Sequence, residues 1–319
     1  MNHILITGIT GFVGQALLKK LQGMDVVVRG AIRDLSTNIM EQPEELVAVG
    51  DIGPGTDWSY ALDGIDVVIH LAGKAHVTDG GEDQTKEFHR VNTQGTAHLC
   101  RMAVSYGVRR FIYISTVKVH GETSAVEPFS EKDIPAPTGG YATSKFEAEQ
   151  SIHAITANSD MKAIILRPPM IYGPGLKGNL PRLIRLIDTG VPLPLSSIKN
   201  RRSLLNISNL TDLIARLINH PVSGARTFLV SDGQDLSTRD LVYLLAKAMG
   251  KKARLFPCSP SIIMSIAGPL KRKDDIERIL GSLFVDSSFV QKELNWKPPH
   301  SVWSGLKDTV TWYRNQKYI

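Results

Sequence analysis

Thr7-Gly8-Ile9-Thr10-Gly11-Phe12-Val13-Gly14 is the stretch that decides the fold of this chain. A short apolar run, residues 3–7, leads into it, and residues 11–21 lead out of it as a helix. Strand, glycine-rich turn and helix in immediate succession make a phosphate cradle. Gly8 permits the tight turn, Gly11 lets a pyrophosphate approach the backbone, and Gly14 lets helix and strand pack closely. The helix start adds free N–H groups and a dipole that favours an anion. Glycines also mark ordinary turns, so the spacing alone is weak. The strand before it and the helix after it turn the spacing into an expectation of dinucleotide binding. The candidate contacts are Gly8, Thr10, Gly11, Phe12, Val13 and Gly14.

Beyond the cradle, apolar strands are predicted at residues 25–32, 45–49, 66–70, 110–115 and 163–166, with helices at 87–106 and 146–158. Continuous apolar strands joined by helices indicate a parallel sheet covered on both faces. Right-handed crossovers then give an α/β fold with a doubly wound parallel Rossmann sheet. After Arg167 the composition changes, and Pro168, Pro169, Pro174, Pro181, Pro192 and Pro194 punctuate a loop-rich stretch. The expected division is a dinucleotide-binding domain over 1–167 and a smaller C-terminal substrate-binding lobe over 168–319. Residues 226–233 are expected to return to the main sheet, and helices are expected at 238–249 and 302–314.

With 319 residues, 42% hydrophobic and 21% charged, the chain can bury a large core and reads as a soluble globular protein. A formal charge of +6 suits an anionic ligand. The basic clusters, Arg201-Arg202 and Lys271-Arg272-Lys273, are too short and lack the aromatics that would argue for nucleic acid. Cys100 and Cys258 lack metal-ligand spacing, so no metal is expected and a reducing cytoplasm is the natural setting. The opening apolar run meets the Gly-rich turn at once and reads as a strand, not as a signal peptide. Residues 261–270 are too short to span a bilayer and contain Gly268 and Pro269, so a packed helix and no membrane insertion are expected.

The end of the second strand chooses between NAD and NADP. An acid there would accept the ribose hydroxyls, and an Arg would pair with the extra phosphate. The chain reads Ala31-Ile32-Arg33-Asp34. Arg33 favours NADP; the alternative is that Asp34 takes the ribose and NAD is bound.

Tyr141-Ala142-Thr143-Ser144-Lys145 sets a Tyr and a Lys on one face of a helix. The ammonium is expected to lower the Tyr pKa, so that the phenol exchanges a proton with a C–OH group while a hydride moves at the same carbon. The strand 110–115 ends in Ser115-Thr116, at the edge of a parallel sheet where ligands bind. His70, at the end of another strand, reads as a near-core histidine; Lys118 and His120, just beyond Thr116, are weaker candidates for facing substrate.

Together the Thr-Gly-x-x-Gly-x-x-Gly turn, Ser115-Thr116 and Tyr141/Lys145 resemble an extended short-chain dehydrogenase/reductase over essentially the whole chain. The resemblance implies catalytic roles for Thr116, Tyr141 and Lys145; Thr116 is chosen over Ser115 because it lies five residues before Gly121. It also implies that Asp51-Ile52 cradle adenine, that Leu71-Ala72-Gly73 lie under the cofactor, that Ser115 borders it, and that Asn92 is the family's structural Asn. Asp51 read by itself is also compatible with a strand-end cap, and Asn92 with holding backbone.

In the second half, the resemblance implies that Asn179-Leu180 start a helix facing a phosphate. Leu195 lies where a base rests on backbone, Arg202 clamps a diphosphate, and Arg278 is a weaker second contact. The prolines after Arg167 stand where many relatives carry an Asn for the diphosphate, so that role is not transferred. The pattern looks closest to reductases of UDP-4-keto-6-deoxy-(N-acetyl)hexoses in O-antigen or other surface-polysaccharide synthesis. The alternative is a UDP-sugar 4-epimerase with tightly held NAD, and a third reading is a non-catalytic NADP-sensing protein. A 4,6-dehydratase would want an acidic pair after the Ser/Thr, where Val117-Lys118 stand. A homodimer through the two long helices flanking the sheet is a family expectation.

Overall fold

The first strand, β1 (Asn2–Thr7), is apolar over its last four residues but for Thr7, and all four are buried. In a computed structural model it is an inner strand of a seven-stranded parallel sheet, paired with β2 on one side and β4 on the other. The structure describes residues 1–37, 40–75, 82–124, 126–267 and 273–317. In chain order the first half runs α1 (Phe12–Leu21), β2 (Val26–Ile32), β3 (Glu45–Ala48), α2 (Ser59–Leu62), β4 (Val67–His70), α3 (Glu82–Phe88), a π-helical stretch (His89–Gly95), α4 (Thr96–Ser105), β5 (Arg110–Ile114), a 3₁₀ turn (Val117–His120), α5 (Gly139–Thr156) and β6 (Lys162–Arg167). The second half runs β7 (Met170–Tyr172), α6 (Asn179–Thr189), β8 (Leu204–Asn206), α7 (Ile207–Asn219), β9 (Arg226–Leu229), α8 (Thr238–Ala248), α9 (Pro260–Ala267), α10 (Lys273–Leu280), α11 (Ser288–Glu293) and α12 (Val302–Lys317).

The strand order β3-β2-β1-β4-β5-β6-β9 reverses direction at β1, between β1 and β4, which is the doubly wound arrangement. The last strand comes from the second half of the chain: β9 pairs with β6 from Ile164↔Arg226 to Arg167↔Leu229. Helices cover both faces. On one, α1 packs Leu17, Leu18 and Leu21 against Leu210, Leu213, Ile214 and Leu217 of α7. Truncating one of these leucines to Ala should cost about 2–5 kcal/mol. On the other, Leu99, Cys100 and Ala103 of α4 meet Ala148 and Ile152 of α5 over Val68, Phe111 and Ile165. Burial pushes the Cys100 thiol up to about 12, so it packs as an apolar group. A third core, including Tyr172, Leu180, Ile184, Leu204, Leu241, Leu245 and Leu306, lies wholly in the second half.

Several elements differ from expectation. The helix expected at 87–106 begins at Glu82 and passes through the π stretch, whose extra width lets Asn92 reach the loop after β4. The helix α7 stands where the sequence reading assigns no element; its Asn206 side chain caps it, accepting from Ser208 N at 2.7 Å. The short β7 and β8 pair with each other and were too brief to show a period. Of the stretch 261–270, α9 covers residues to Ala267 and the remainder lies outside the described residues. Among the described residues no helix is long and apolar enough to cross a membrane.

Candidate active site

The three glycines of the cradle differ in what surrounds them. A Cβ at Gly8, where φ is +70°, would lie 2.7 Å from Ala72 N. At Gly14 it would lie 2.4 Å from Gly8 O and 2.6 Å from Ile9 Cα. Both positions are closed by protein backbone. Gly11 is exposed, and a Cβ there would meet only Gly8 O, at 3.1 Å. It is the N-cap of α1, and the first helical bond is Gln15 N to Gly11 O at 3.0 Å. The preceding N–H groups of the first turn therefore have no helical partner. Open backbone at Gly11 beside a helix start fits the pyrophosphate of a dinucleotide. Thr10 is exposed and Val13 half-buried, while the half-buried Phe12 ring lies against Gly175 of the second half.

The floor after β4 is braced from below. Thr7 Oγ1 accepts from Ala72 N at 3.2 Å and shares a 2.6 Å hydrogen bond with His70 Nδ1. His70 Nε2 bonds Thr96 Oγ1 at 2.9 Å, and burial lowers its pKa to about 3 with help from Lys145. This histidine is a neutral brace. Asn92 Oδ1 accepts from Lys74 N at 2.8 Å, and its Nδ2 donates to Lys74 O and Ser144 Oγ, each at 3.0 Å. With both donors used, Asn92 ties Leu71-Ala72-Gly73 and the following residue to α5. These bonds are those of a side chain that holds backbone, the structural role the resemblance implies for Asn92.

Tyr141 and Lys145 lie on α5 and converge with Ser115-Thr116 at the end of β5. Thr116 caps the 3₁₀ turn, accepting from Lys118 N at 3.3 Å, and its hydroxyl acts to lower the pKa of the Tyr141 phenol. Phe88 stands edge-on to the Tyr141 ring at 6.0 Å. Ser115 Oγ is buried and has no hydrogen-bond partner among the described residues. A buried hydroxyl left over at the carboxyl edge of a parallel strand fits a bound polar ligand. Lys145 is 5% exposed; its Nζ donates to Ile114 O at 2.6 Å and sits 4.1 Å from the Tyr113 ring centroid.

The expected depression of the Tyr141 pKa by Lys145 is not found. Burial pushes the phenol up to about 12, and only the Thr116 hydroxyl acts the other way. The reason is geometric: spacing puts the two residues on one face, but the Ile114 carbonyl draws the ammonium to the sheet. Burial in turn lowers the Lys145 pKa to about 7, against the pull of Glu149.

At the adenosine end, Arg33 Nε pairs with Asp51 Oδ1 at 2.7 Å, both side chains being largely exposed. Two residues assigned separate tasks are thus partners. Asp34 Oδ1 accepts from Ser36 N at 2.8 Å, which holds its carboxyl below the usual range and commits it to the turn. Ile52 is half-buried beside Gly95.

In the second half, Asn179 is exposed at the first residue of α6, while the Leu180 and Leu195 side chains are buried in the third core. Only their backbones can meet a ligand. Arg202 Nη1 donates to Gly281 O at 3.0 Å, which brings it to the end of α10. That helix carries Arg278, of which only the backbone is described. Lys118 pairs with Glu122 at 2.7 Å. Two clefts of about 500 and 480 Å³ lie elsewhere, one beside Asn200, Arg201 and Asp235, the other along Tyr243 and Lys247. Neither includes Thr116, Tyr141 or Lys145, so chemistry and not size locates this site.

A group missed in the sequence lies behind Lys145. Arg167 Nε donates to both carboxylate oxygens of Glu149, at 3.1 and 3.2 Å, and Nη2 to Oε2 at 2.5 Å. Arg167 Nη1 donates to His120 Nε2 at 2.8 Å. The signal available in the sequence was the spacing Tyr141, Lys145, Glu149, three residues in two four-residue steps along one helix face.

The sequence profile of the NAD dependent epimerase/dehydratase family matches residues 4–231. A UDP-glucose 4-epimerase of Vibrio cholerae is 43% identical over 314 residues, 97% of this chain and 94% of that protein. A dTDP-glucose 4,6-dehydratase of Streptomyces griseus is 28% identical, covering 99% and 95%. Among solved structures, MoeE5 in complex with UDP-glucuronic acid and NAD superposes with a TM-score of 0.80 at 23% identity, over 99% of this chain and 100% of that one. UDP-N-acetylglucosamine 4-epimerase from Bacillus cereus does so with a TM-score of 0.80 at 20% identity, over 98% and 100%. At these identities the superpositions speak for the fold.

Proposed function

Because this chain belongs to the NAD dependent epimerase/dehydratase family, and is an enzyme of the extended short-chain dehydrogenase/reductase type, we propose that it interconverts UDP-sugars epimeric at C4 with NAD as a retained cofactor. The observation that carries this reading is the 43% identity to a UDP-glucose 4-epimerase over nearly the full length of both chains. The Arg33–Asp51 pair supports NAD over NADP, since it engages the guanidinium that would otherwise meet a 2′-phosphate. Residues 168–319 are read as mainly the substrate-binding part, with Arg202 toward the diphosphate. A homodimer through α4 and α5 belongs to the same reading.

Bound NAD supplies a hydride acceptor. Gly11 and the start of α1 bind its pyrophosphate, and the Asn92-braced loop supports it from below. Thr116 orients the C4 oxygen of the sugar. Tyr141 takes the proton from that oxygen and returns it when the carbonyl is reduced again. Lys145, one turn further along α5 and held by Ile114 O, carries the positive charge of the site, while the Thr116 hydroxyl is what offsets the burial of the phenol. The Phe88 ring packs edge-on against the Tyr141 ring and helps fix its orientation.

A one-way reduction of a UDP-4-keto-6-deoxy sugar by NADPH is the second reading. It is favoured by the absence of an acid at the end of β2, where Ile32 leads directly to Arg33. One assay separates the two. The purified protein is incubated with UDP-glucose or UDP-N-acetylglucosamine without added cofactor, and in parallel with a UDP-4-keto-6-deoxyhexose and NADPH. Epimer formation without added nucleotide is the expected result. Stoichiometric NADPH consumption with no epimerisation overturns the proposal in favour of the reductase.

A further inference from the structure

Tyr141, Lys145 and Glu149 follow one another at four-residue intervals on α5, so their side chains stack along one face. The face descends into the protein: Tyr141 is partly accessible, Lys145 is 5% exposed and Glu149 is 1% exposed. A carboxylate that deep is sustained only by partners, and Arg167, at the last position of β6, grips it with Nε and Nη2. The remaining Arg167 nitrogen, Nη1, donates to His120 Nε2, which requires the histidine to be neutral with its proton on Nδ1. His120 is stacked on Phe129 at 5.3 Å, so Arg167 is fixed from two elements besides its own.

The charges alternate inward as ammonium, carboxylate, guanidinium. With Glu149 neutral, two buried cations would face each other without an anion. We propose that Glu149 is a positioning residue of this site: its carboxylate, locked by Arg167, is the counter-charge that keeps Lys145 an ammonium beneath Tyr141. The inference rests on the reading of Tyr141 and Lys145 as the proton-handling pair.

The other groups facing this chain of charges do not replace Glu149. Lys145 also faces His70 and the Tyr113 ring; the first is held neutral and the second carries no charge. Glu149 also faces Tyr113 and His153. Arg167 also faces Glu131, whose carboxylate is turned to Leu229 N at 2.8 Å. Burial and Arg167 lower the His120 pKa to about 4, so it stays a neutral acceptor at working pH. Asp133, the charge near His120, accepts from Ser130 N at 2.6 Å. Of all these, Glu149 is the group that favours the charged form of Lys145.

The test follows the Nζ resonance of Lys145 in lysine-labelled full-length protein, identified by its loss in Lys145→Met. The parent should titrate near 7. Glu149→Gln should titrate lower by about one pH unit or more, and Glu149→Asp should recover much of the loss. The alkaline limb of turnover should move down by the same amount in Glu149→Gln. Should Glu149→Gln not fold, Glu149→Gln/Arg167→Met removes the buried pair together, and a downward shift is still expected, smaller because the guanidinium leaves with the carboxylate. A Lys145 titration unchanged in a folded variant lacking the Glu149 carboxylate overturns the proposal. If the parent turns over no UDP-sugar, the functional reading fails while the resonance still decides the role of Glu149.

Discussion

Replacing Lys145 by Met isolates what burial does to the site. The ammonium is 5% exposed, and burial lowers its pKa from 10.5 to about 7. A basic group with a folded pKa below its unfolded one costs the native state stability where both states are protonated, here below pH 7. The cost fades as pH rises toward 10.5, because the unfolded chain then holds a proton the folded one has released. At about 1.4 kcal/mol per pH unit the full cost is about 5 kcal/mol. Met keeps the length and removes the charge, but it forfeits the bond to Ile114 O, worth about 1 kcal/mol. Lys145→Met should therefore be more stable than the parent by about 4 kcal/mol at pH 6. Between pH 7 and 9.5 the parent recovers about 3 kcal/mol, so the advantage should shrink to about 1 kcal/mol. Urea unfolding of both proteins at the two pH values measures this, and the difference between them cancels packing effects that do not depend on pH. An advantage equal at pH 6 and pH 9.5, or a variant less stable at pH 6, would refute the reasoning.

Tyr141→Phe should lower turnover by about 10²–10⁴-fold and leave NAD affinity within a few-fold, since only the phenolic oxygen is removed; kinetics beside a binding titration check it. Gly14→Ala should abolish dinucleotide binding or destabilise the chain by about 1–3 kcal/mol or more, because its Cβ meets backbone at 2.4 and 2.6 Å. Calorimetric titration and thermal unfolding report the two effects, and a variant with native values of both contradicts the packing assigned here. Arg202→Ala should raise KM for a UDP-sugar about tenfold or more and spare NAD affinity, through loss of a charge-assisted contact. A weakened NAD affinity at unchanged KM would put this Arg in the other site.

The parallel sheet and the cradle were legible because each rests on a local pattern: an apolar run, glycines at set intervals, then a helix. The same holds for Tyr141 and Lys145, whose spacing alone puts them on one face. What the spacing does not carry is the direction of a flexible side chain. The Ile114 carbonyl, more than thirty residues upstream, decides where the Lys145 ammonium goes. The Arg33–Asp51 pair was hidden for a similar reason: β2 and β3 run parallel in register, Ile32 opposite Ala48, and the residues just beyond their ends meet. Asn92 joins Lys74 to Ser144, the latter 52 residues further on, a link no local window contains. The helix α7 is another matter: Ile207, Leu210, Ile214 and Leu217 already show its period, although the sequence reading assigns no element there.

β9 lies at the edge of a sheet whose other strands all come from the first half of the chain. About 60 residues separate it from β6, its one partner strand among the described residues. During synthesis β6 must therefore wait with one row of backbone N–H and C=O groups unpaired until Leu229 has left the ribosome. At about 5–20 residues per second that interval is about 3–12 s. Until it closes, the nascent sheet presents the kind of bare edge on which chains pair wrongly. A fragment ending at Arg167 would keep that edge for its lifetime.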